Sequence, residues 1–354
     1  MQYRGGIDLG GTKIQAVVVD EAHRIVAQNR CATPSSGGPQ AVARAMAQAL
    51  RDAASQAGVD TGHLAGIGVG SPGHVDSAEG TVARAGNLPD WQAPFPLSAA
   101  LSELLGPPVF LGNDVGVAVD GEARLGAGRA YDSFLGVFWG TGVGGGVVLG
   151  RKRWLGRGAS GEIGHMIVRR NGARCPCGRR GCVEAYAGRR AMEARARRDV
   201  ERGAKTTLFK IMEKKGRSQL SSGVFAKALE SGDEYAIRLI ERAVEALGAG
   251  IASACNLLDV EAVVIGGGLG TRLGDPYAKR ISEAMLPHLF TPERPPRVQV
   301  VQLGDLAGAL GASLLVPGSA GNAEQARRSE SSAHVEPPAP HGHPGQPGRP
   351  MTKR

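Results

Sequence analysis

The chain has 354 residues, 42% of them apolar and 21% charged, with a net charge of +9. That length suits two domains and that composition suits a water-soluble globular protein. Aromatic residues make up only 4%, too few for the stacking platforms of a single-stranded nucleic-acid binder, and no run approaches the ~18 apolar residues of a membrane span.

Residues 3–9 and 14–20 read as strands joined by the turn Gly10-Gly11-Thr12-Lys13, and 24–28 as a third strand. Residues 39–58 are alanine-rich and helical. Residues 64–70 form a buried strand running into SPGHVD, and 97–105 a short helix. Residues 109–114 form a strand ending on Asn113-Asp114, and a helix follows to about 126. The pattern then restarts with a strand at 133–139, a glycine turn at 140–146 and a second strand, VVLG. Helices are expected at 182–202, 221–231 and 233–258. A strand with a glycine turn follows at 261–268, then a helix at 275–290, a strand at 296–303 and a helix at 305–316. This alternation predicts α/β layers around mixed sheets, and the repeated strand–glycine–strand opening predicts two related halves with a cleft between them. From Pro317 the chain is rich in Pro, Gly and Ser and is expected to be disordered. His334, His341 and His343 in this tail would serve a metal-binding reading of it.

His165, Cys175, Cys177 and Cys182 fall within 18 positions. Three thiols and an imidazole are the ligand set of a closed, structural zinc site. Pro176 and Gly172, Gly178 and Gly181 let the backbone wrap around such an ion, and Glu162 and Glu184 flank it. Unpaired buried thiols and a disulfide are the competing readings. The N-terminus, MQYRGGIDLGG, lacks a secretory signal pattern, and Cys31 and Cys255 stand far apart, so a reducing cytoplasm is expected.

Three glycine-rich turns, Gly10–Lys13, Gly140–Gly146 and Gly266–Gly268, each follow a strand. Freed backbone amides can point at phosphate oxygens, with Lys or Thr adding charge or a hydroxyl. Tight hairpins also use glycine for turn geometry alone. Gly140 to Gly145 matches G-x-G-x-x-G, but a strand follows it, so the dinucleotide reading is rejected; no P-loop sequence occurs. Asp114 reads equally as a general base and as a helix N-cap. Residues 151–198 carry fourteen Lys/Arg against Glu162, Glu184 and Glu193, which fits a nucleic-acid surface, the rim of a polyanion site or a plain solvated face.

DLGGTK at 8–13, LGND at 111–114, WGTGVGGGVV at 139–148 and GEIGH…CPCGRRGCVE at 161–184 together resemble the ROK family of sugar kinases and repressors, and within it the bacterial ATP-dependent glucokinases. The resemblance covers about residues 4–316. It implies two actin-like (ribonuclease H-like) domains around a central cleft: a small one at 1–115 and a larger one at 116–304 that carries the zinc loop 165–182. The helix at 305–316 would return to the small domain, and 317–354 would be the tail.

The resemblance also implies roles. Asp8, Gly10, Gly11, Thr12 and Lys13 would form a first phosphate loop, with Asp8 near Mg2+. Gly140, Thr141, Gly142, Gly144 and Gly145 would form a second, and Gly266, Gly267 and Gly268 would border the adenosine of ATP. Asn87, Asn113, Asp114, Glu162, His165 and Glu184 would hold sugar hydroxyls. Asp114 would be the catalytic base. Zn2+, held by His165, Cys175, Cys177 and Cys182, would shape the sugar pocket. The implied reaction is ATP-dependent phosphorylation of a hexose, with glucose going to glucose 6-phosphate. N-acetylmannosamine, N-acetylglucosamine, fructose and allose are alternative acceptors, and polyphosphate is an alternative donor. A sugar-responsive regulator is the non-enzyme alternative; repressors of the family carry a winged helix-turn-helix first, and a strand from about residue 3 is expected to leave no room for one. No nucleic-acid or membrane partner is expected, and a homodimer or homotetramer is. One departure stands out: family members often carry serine four residues after the position of Glu184, where this chain has Gly188.

Overall fold

The computed structural model describes residues 2–86 and 88–318. The expected sugar contact Asn87, and the chain beyond residue 318 for which disorder is expected, with its three histidines, lie outside the described residues. The first half runs β1 (Arg4–Leu9), β2 (Lys13–Val19), β3 (Ile25–Ala32), α1 (Gly38–Gln56), β4 (Ile67–Ser71), β5 (His74–Asp76), β6 (Thr81–Ala83), α2 (Leu97–Leu105), β7 (Val109–Asn113) and α3 (Asp114–Leu125). The second half runs β8 (Phe134–Trp139), β9 (Val143–Leu149), β10 (Lys152–Trp154), α4 (Glu184–Ala187), α5 (Arg189–Glu201), α6 (Leu208–Lys214), α7 (Ser222–Glu230), α8 (Glu234–Leu258), β11 (Ala262–Gly266), α9 (Gly267–Met285), β12 (Arg297–Val300) and α10 (Ala307–Ser313).

Two five-stranded mixed sheets result, ordered β3-β2-β1-β4-β7 and β10-β9-β8-β11-β12, while β5 and β6 pair separately. Each large sheet opens with an antiparallel meander and continues with parallel strands, so one topology is used twice. The parallel pairing sets Asp8 beside Gly70 and Ser71 beside Asn113. The carboxyl ends of β1, β4 and β7 therefore meet at one edge, where α/β sheets place their ligands.

The pleat divides the first sheet between two cores. Ile14, Ala16 and Val18 of β2 pack with Val42, Met46 and Leu50 of α1, whereas Val17 and Val19 face Ala309 and Leu310 of α10. Helix α1 buries residues 42, 43, 46, 47, 50, 53 and 54, an apolar stripe at helical spacing. On the other face α10 lies directly on the strands: a Cβ at Gly6 would overlap the Ala309 carbonyl, and one at Gly68 the Ala312 carbonyl. Helix α3 packs against both sheets. Val117 meets Gly70 and Gly112 of the first, while Val115 and Val119 meet Gly144 and Gly146 of the second. A half-buried ion pair, Arg153 Nε to Asp120 Oδ2 at 2.9 Å, adds to the second contact.

Several elements differ from expectation. β3 runs on to Ala32 instead of stopping at 28, and the β5–β6 hairpin and α6 were not foreseen. The helix expected at 182–202 is broken at Gly188, whose backbone is extended. The helix expected to start at 275 starts at Gly267 and kinks at Gly274, just before Pro276. Its glycine-rich first turns have poor helix propensity, but burial of Leu269 and Leu273 overrides it. The glycine turn of the second half is also shorter than expected: Gly144 to Gly146 pair within β9 opposite Phe138 to Gly136. Glycine is needed at 144 and 146 because α3 packs there. No helix among the described residues is long and apolar enough to cross a membrane.

Candidate active site

At the shared strand edge, Asp8 and Asp114 face each other. Burial first, and then the charge of Asp114, push the Asp8 carboxyl from its ordinary 3.8 up to about 7, against the pull of Lys13. Burial also raises Asp114, opposed by the Val115 N–H, its own N–H and the Asn113 side chain. The capping question is answered locally. The Gly116 N–H donates to Asn113 Oδ1 at 3.1 Å, so Asn113 is the N-cap of α3 and Asp114 is its first helical residue. Asp114 Oδ1 accepts from Val115 N–H at 2.9 Å. Two half-buried carboxyls side by side, both raised by desolvation and Asp8 further by the charge of Asp114, form a site suited to a hard divalent cation, whose charge relieves the repulsion. Gly308 of α10 walls the pair: a Cβ there would lie 2.5 Å from Asp8 Cγ.

The first glycine turn is closed by Gly10 N–H donating to Lys13 O at 2.9 Å, and Thr33 Oγ1 donates to Gly10 O at 2.7 Å. Lys13 Nζ pairs with Asp305 Oδ2 at 2.9 Å, just ahead of α10.

The second turn is strapped by the segment that follows the thiol cluster. Val143 N–H donates to Glu184 Oε2 at 2.9 Å, and Trp139 Nε1 donates to Ala187 O at 2.7 Å. The backbone N–H groups of Arg189 and Arg190 donate to Gly140 O and Thr141 O, both at 3.1 Å. Arg189 Nη2 donates to Thr141 Oγ1 at 2.8 Å and Nη1 to Ser222 Oγ at 3.3 Å. A Cβ on Gly142 would strike the Glu184 carboxylate, so the turn can approach it only as glycine. Gly267 and Gly268 are not a free turn but the start of α9. A Cβ on Gly268 would be 3.1 Å from Ser222 Oγ, and one on Gly140 would be 3.7 Å from Gly268 N, so the second and third glycine segments adjoin.

The ligand atoms of His165, Cys175, Cys177 and Cys182 all lie within 4.8 Å of one another. Cys177 Sγ is 3.8 Å from Cys182 Sγ, and Cys175 Sγ is 3.8 Å from His165 Nδ1. Tetrahedral zinc with ~2.3 Å bonds to sulfur requires a sulfur–sulfur separation of about 3.8 Å. All five cysteines are unpaired thiols. The Arg179 N–H holds Cys177 down to about 6, while burial pushes Cys175 up to about 12. Three thiolates would be held together there only with a cation among them, so the donor set fits such an ion. His165 Nε2 faces Glu162 Oε2 at 3.9 Å, on the open side. Glu184 touches both the thiols, with Oε1 3.9 Å from Cys175 Sγ, and the second glycine turn.

The structure thus gathers Asp8, Lys13, Asn113 and Asp114 at one edge. It gathers Glu162, His165, Glu184 and Gly140–Gly142 around the thiol cluster. Sequence reading missed Asp305 and Arg189. Asp305 belongs to no motif, and Arg189 lies beyond the last residue of the metal block.

The sequence model of the ROK family matches residues 4–319. The chain belongs to the ROK family. ROK relatives include a glucokinase of Thermotoga maritima, 31% identical over 315 residues that cover 88% of this chain and 96% of that protein. An N-acetylmannosamine kinase of Yersinia pseudotuberculosis is 32% identical over 311 residues, 87% of this chain and 96% of that protein. The crystal structure of a ROK glucokinase from Streptomyces griseus with glucose and AMPPNP superposes with a TM-score of 0.75 at 33% identity, covering 89% of this chain and 99% of that one.

Proposed function

We propose that the protein is a sugar kinase that transfers the terminal phosphoryl group of ATP to a hexose, with glucose as the preferred acceptor and glucose 6-phosphate as the product. The observation that carries this reading is the half-buried Asp8–Asp114 pair, adjoining at Gly70, beside a lysine-bearing glycine turn. The ROK glucokinase with glucose and AMPPNP supports it, since its likeness runs across the whole fold.

Asp114 is the base. It takes the proton of the attacking sugar hydroxyl, and its raised pKa strengthens it for that step. Asn113, Glu162, His165 and Glu184 hold the other hydroxyls. Lys13, Thr12 and the amides of both glycine turns hold the phosphates, with Gly266–Gly268 beside the adenosine. Asp8 is the carboxylate that would hold Mg2+, which would supply positive charge to the phosphates. Zn2+ fits the thiol–imidazole set, where it would fix the imidazole and Glu184. We assign residues 1–115 with 305–316 to a small domain and 116–304 to a larger one, in a cytoplasmic homodimer or homotetramer.

N-acetylmannosamine is the second reading of the acceptor, on the strength of the Yersinia relative. A coupled ADP-release assay with magnesium-ATP and a panel of hexoses and N-acetylhexosamines tests both. Glucose should give the highest kcat/KM, and Asp114→Asn should lower kcat by about 10²–10⁴-fold. Turnover of N-acetylmannosamine above glucose would change the substrate and leave the mechanism. Full activity in Asp114→Asn would remove the base.

A further inference from the structure

Behind the thiol cluster, on the side where α5 and α8 pack, lies a pocket of about 720 Å³. Five arginines line it, Arg174, Arg190, Arg195, Arg198 and Arg242, and no carboxylate does. Among the described residues only one of the five has an acidic partner at ion-pair distance: Arg195 Nε lies 3.3 Å from Asp199 Oδ2. The remaining wall is apolar, with Ala173, Pro176, Ala194, Leu239 and the Tyr186 ring. The Tyr186 hydroxyl is already engaged, accepting from Ala173 N–H at 2.9 Å.

Five arginines around one pocket, four of them without an acidic partner at ion-pair distance among the described residues, are matched to a phosphate, which accepts paired N–H groups of a guanidinium in a planar fork. The apolar walls would accommodate the organic body that such a phosphate carries. We propose that this pocket is a second anion site, apart from the Asp8–Asp114 edge, that binds a phosphorylated small molecule.

The pocket connects to the second glycine turn through backbone hydrogen bonds. The backbone N–H of Arg190 donates to Thr141 O at 3.1 Å, and Tyr186 lies in the same helical turn as Glu184, which holds Val143 N–H. An occupant that pulls on Arg190 therefore acts on the segment that straps the turn. Binding does not depend on the kinase reading, whereas an effect on turnover does.

The test uses the full-length, metal-loaded protein with glucose and magnesium-AMPPNP in excess, so that the cleft is filled. Inorganic pyrophosphate is titrated in by calorimetry. The wild type should show one saturable site. Arg198→Ser/Arg242→Ser should weaken it at least tenfold while keeping basal turnover and the melting temperature. Arg198→Lys/Arg242→Lys keeps the charge and loses the fork, so it should fall between the two. Glucose 6-phosphate and ADP, titrated separately, distinguish a sugar phosphate from a nucleotide. No saturable binding in the wild type, or equal affinity in wild type and the serine variant, overturns the proposal. Pyrophosphate binding with unchanged ATP turnover would keep the site and remove its link to the glycine turn. A failure of all sugar turnover would leave the calorimetry intact and count only against the kinase assignment.

Discussion

Asp8→Asn should make the nucleotide-free protein more stable while destroying its activity. The Asp8 carboxyl rises from 3.8 to about 7 because it is largely desolvated and lies beside the charge of Asp114. A carboxyl with a raised pKa holds its proton more tightly in the folded chain than in the unfolded one. Between pH 3.8 and about 7 the folded chain therefore binds more protons, and stability falls as pH rises through that window. Three pH units at 1.4 kcal/mol each give an upper figure of about 4 kcal/mol. Asp8 is partly open at the sheet edge, and screening by water brings this to about 2–4 kcal/mol above pH 7. Asparagine removes the penalty. Thermal melts from pH 4 to 8.5, with no chelator added and magnesium and nucleotide left out, should show the curves of wild type and Asp8→Asn meeting near pH 4. They should diverge above pH 6, with the variant melting ~3–6 °C higher at pH 8. Magnesium should narrow the gap by stabilising only the wild type. Parallel profiles for the two proteins would refute the buried-pair account.

Cys182→Ser should abolish the bound metal, read by elemental analysis, and raise KM for glucose tenfold or more; intact glucose affinity in a metal-free protein would count against the role given to the metal. Arg189→Ala frees the Thr141 hydroxyl from a charged hydrogen bond, worth about 1.5–3 kcal/mol. Steady-state kinetics at saturating sugar should show the loss as a raised KM for ATP, with the sugar KM little changed. Glu122 is fully buried and accepts the N–H groups of Ala127, Gln302 and Leu303 at 2.8, 3.1 and 2.9 Å. Glu122→Ala orphans all three, and urea unfolding should record a loss of about 3–5 kcal/mol with kinetic constants near normal in the folded fraction.

The residues that could be read from sequence are those whose role is local. The hairpin around Gly10–Lys13 is fixed by flanking apolar runs, and the thiol cluster by ligands only a few residues apart. Base and cap are equal readings of Asp114 from sequence because Asp and Asn both favour the cap position; the backbone geometry and the Gly116 N–H bond assign the cap to Asn113. Gly144 to Gly146 looked like a turn because glycine signals flexibility as well as close packing, and the packing partner, α3, is remote in sequence. Arg189, Glu122 and Asp305 act through contacts that the fold alone creates. Helix α9 was placed too late because tertiary burial outweighs the low propensity of its glycines.

The seating of α10 on β1 and β4 has a consequence for biosynthesis. Ala309 covers Gly6 although the two are about three hundred positions apart. Through most of translation the first sheet emerges from the ribosome with Val17 and Val19 uncovered, since Ala309 and Leu310, which bury them, are made late. Contacts this distant in sequence close slowly, and strand faces left bare in the meantime invite association between nascent chains. The first half cannot be completed as an independent unit. A ribosome stalled before residue 307 would hold a chain with its opening sheet still half bare until α10 arrives.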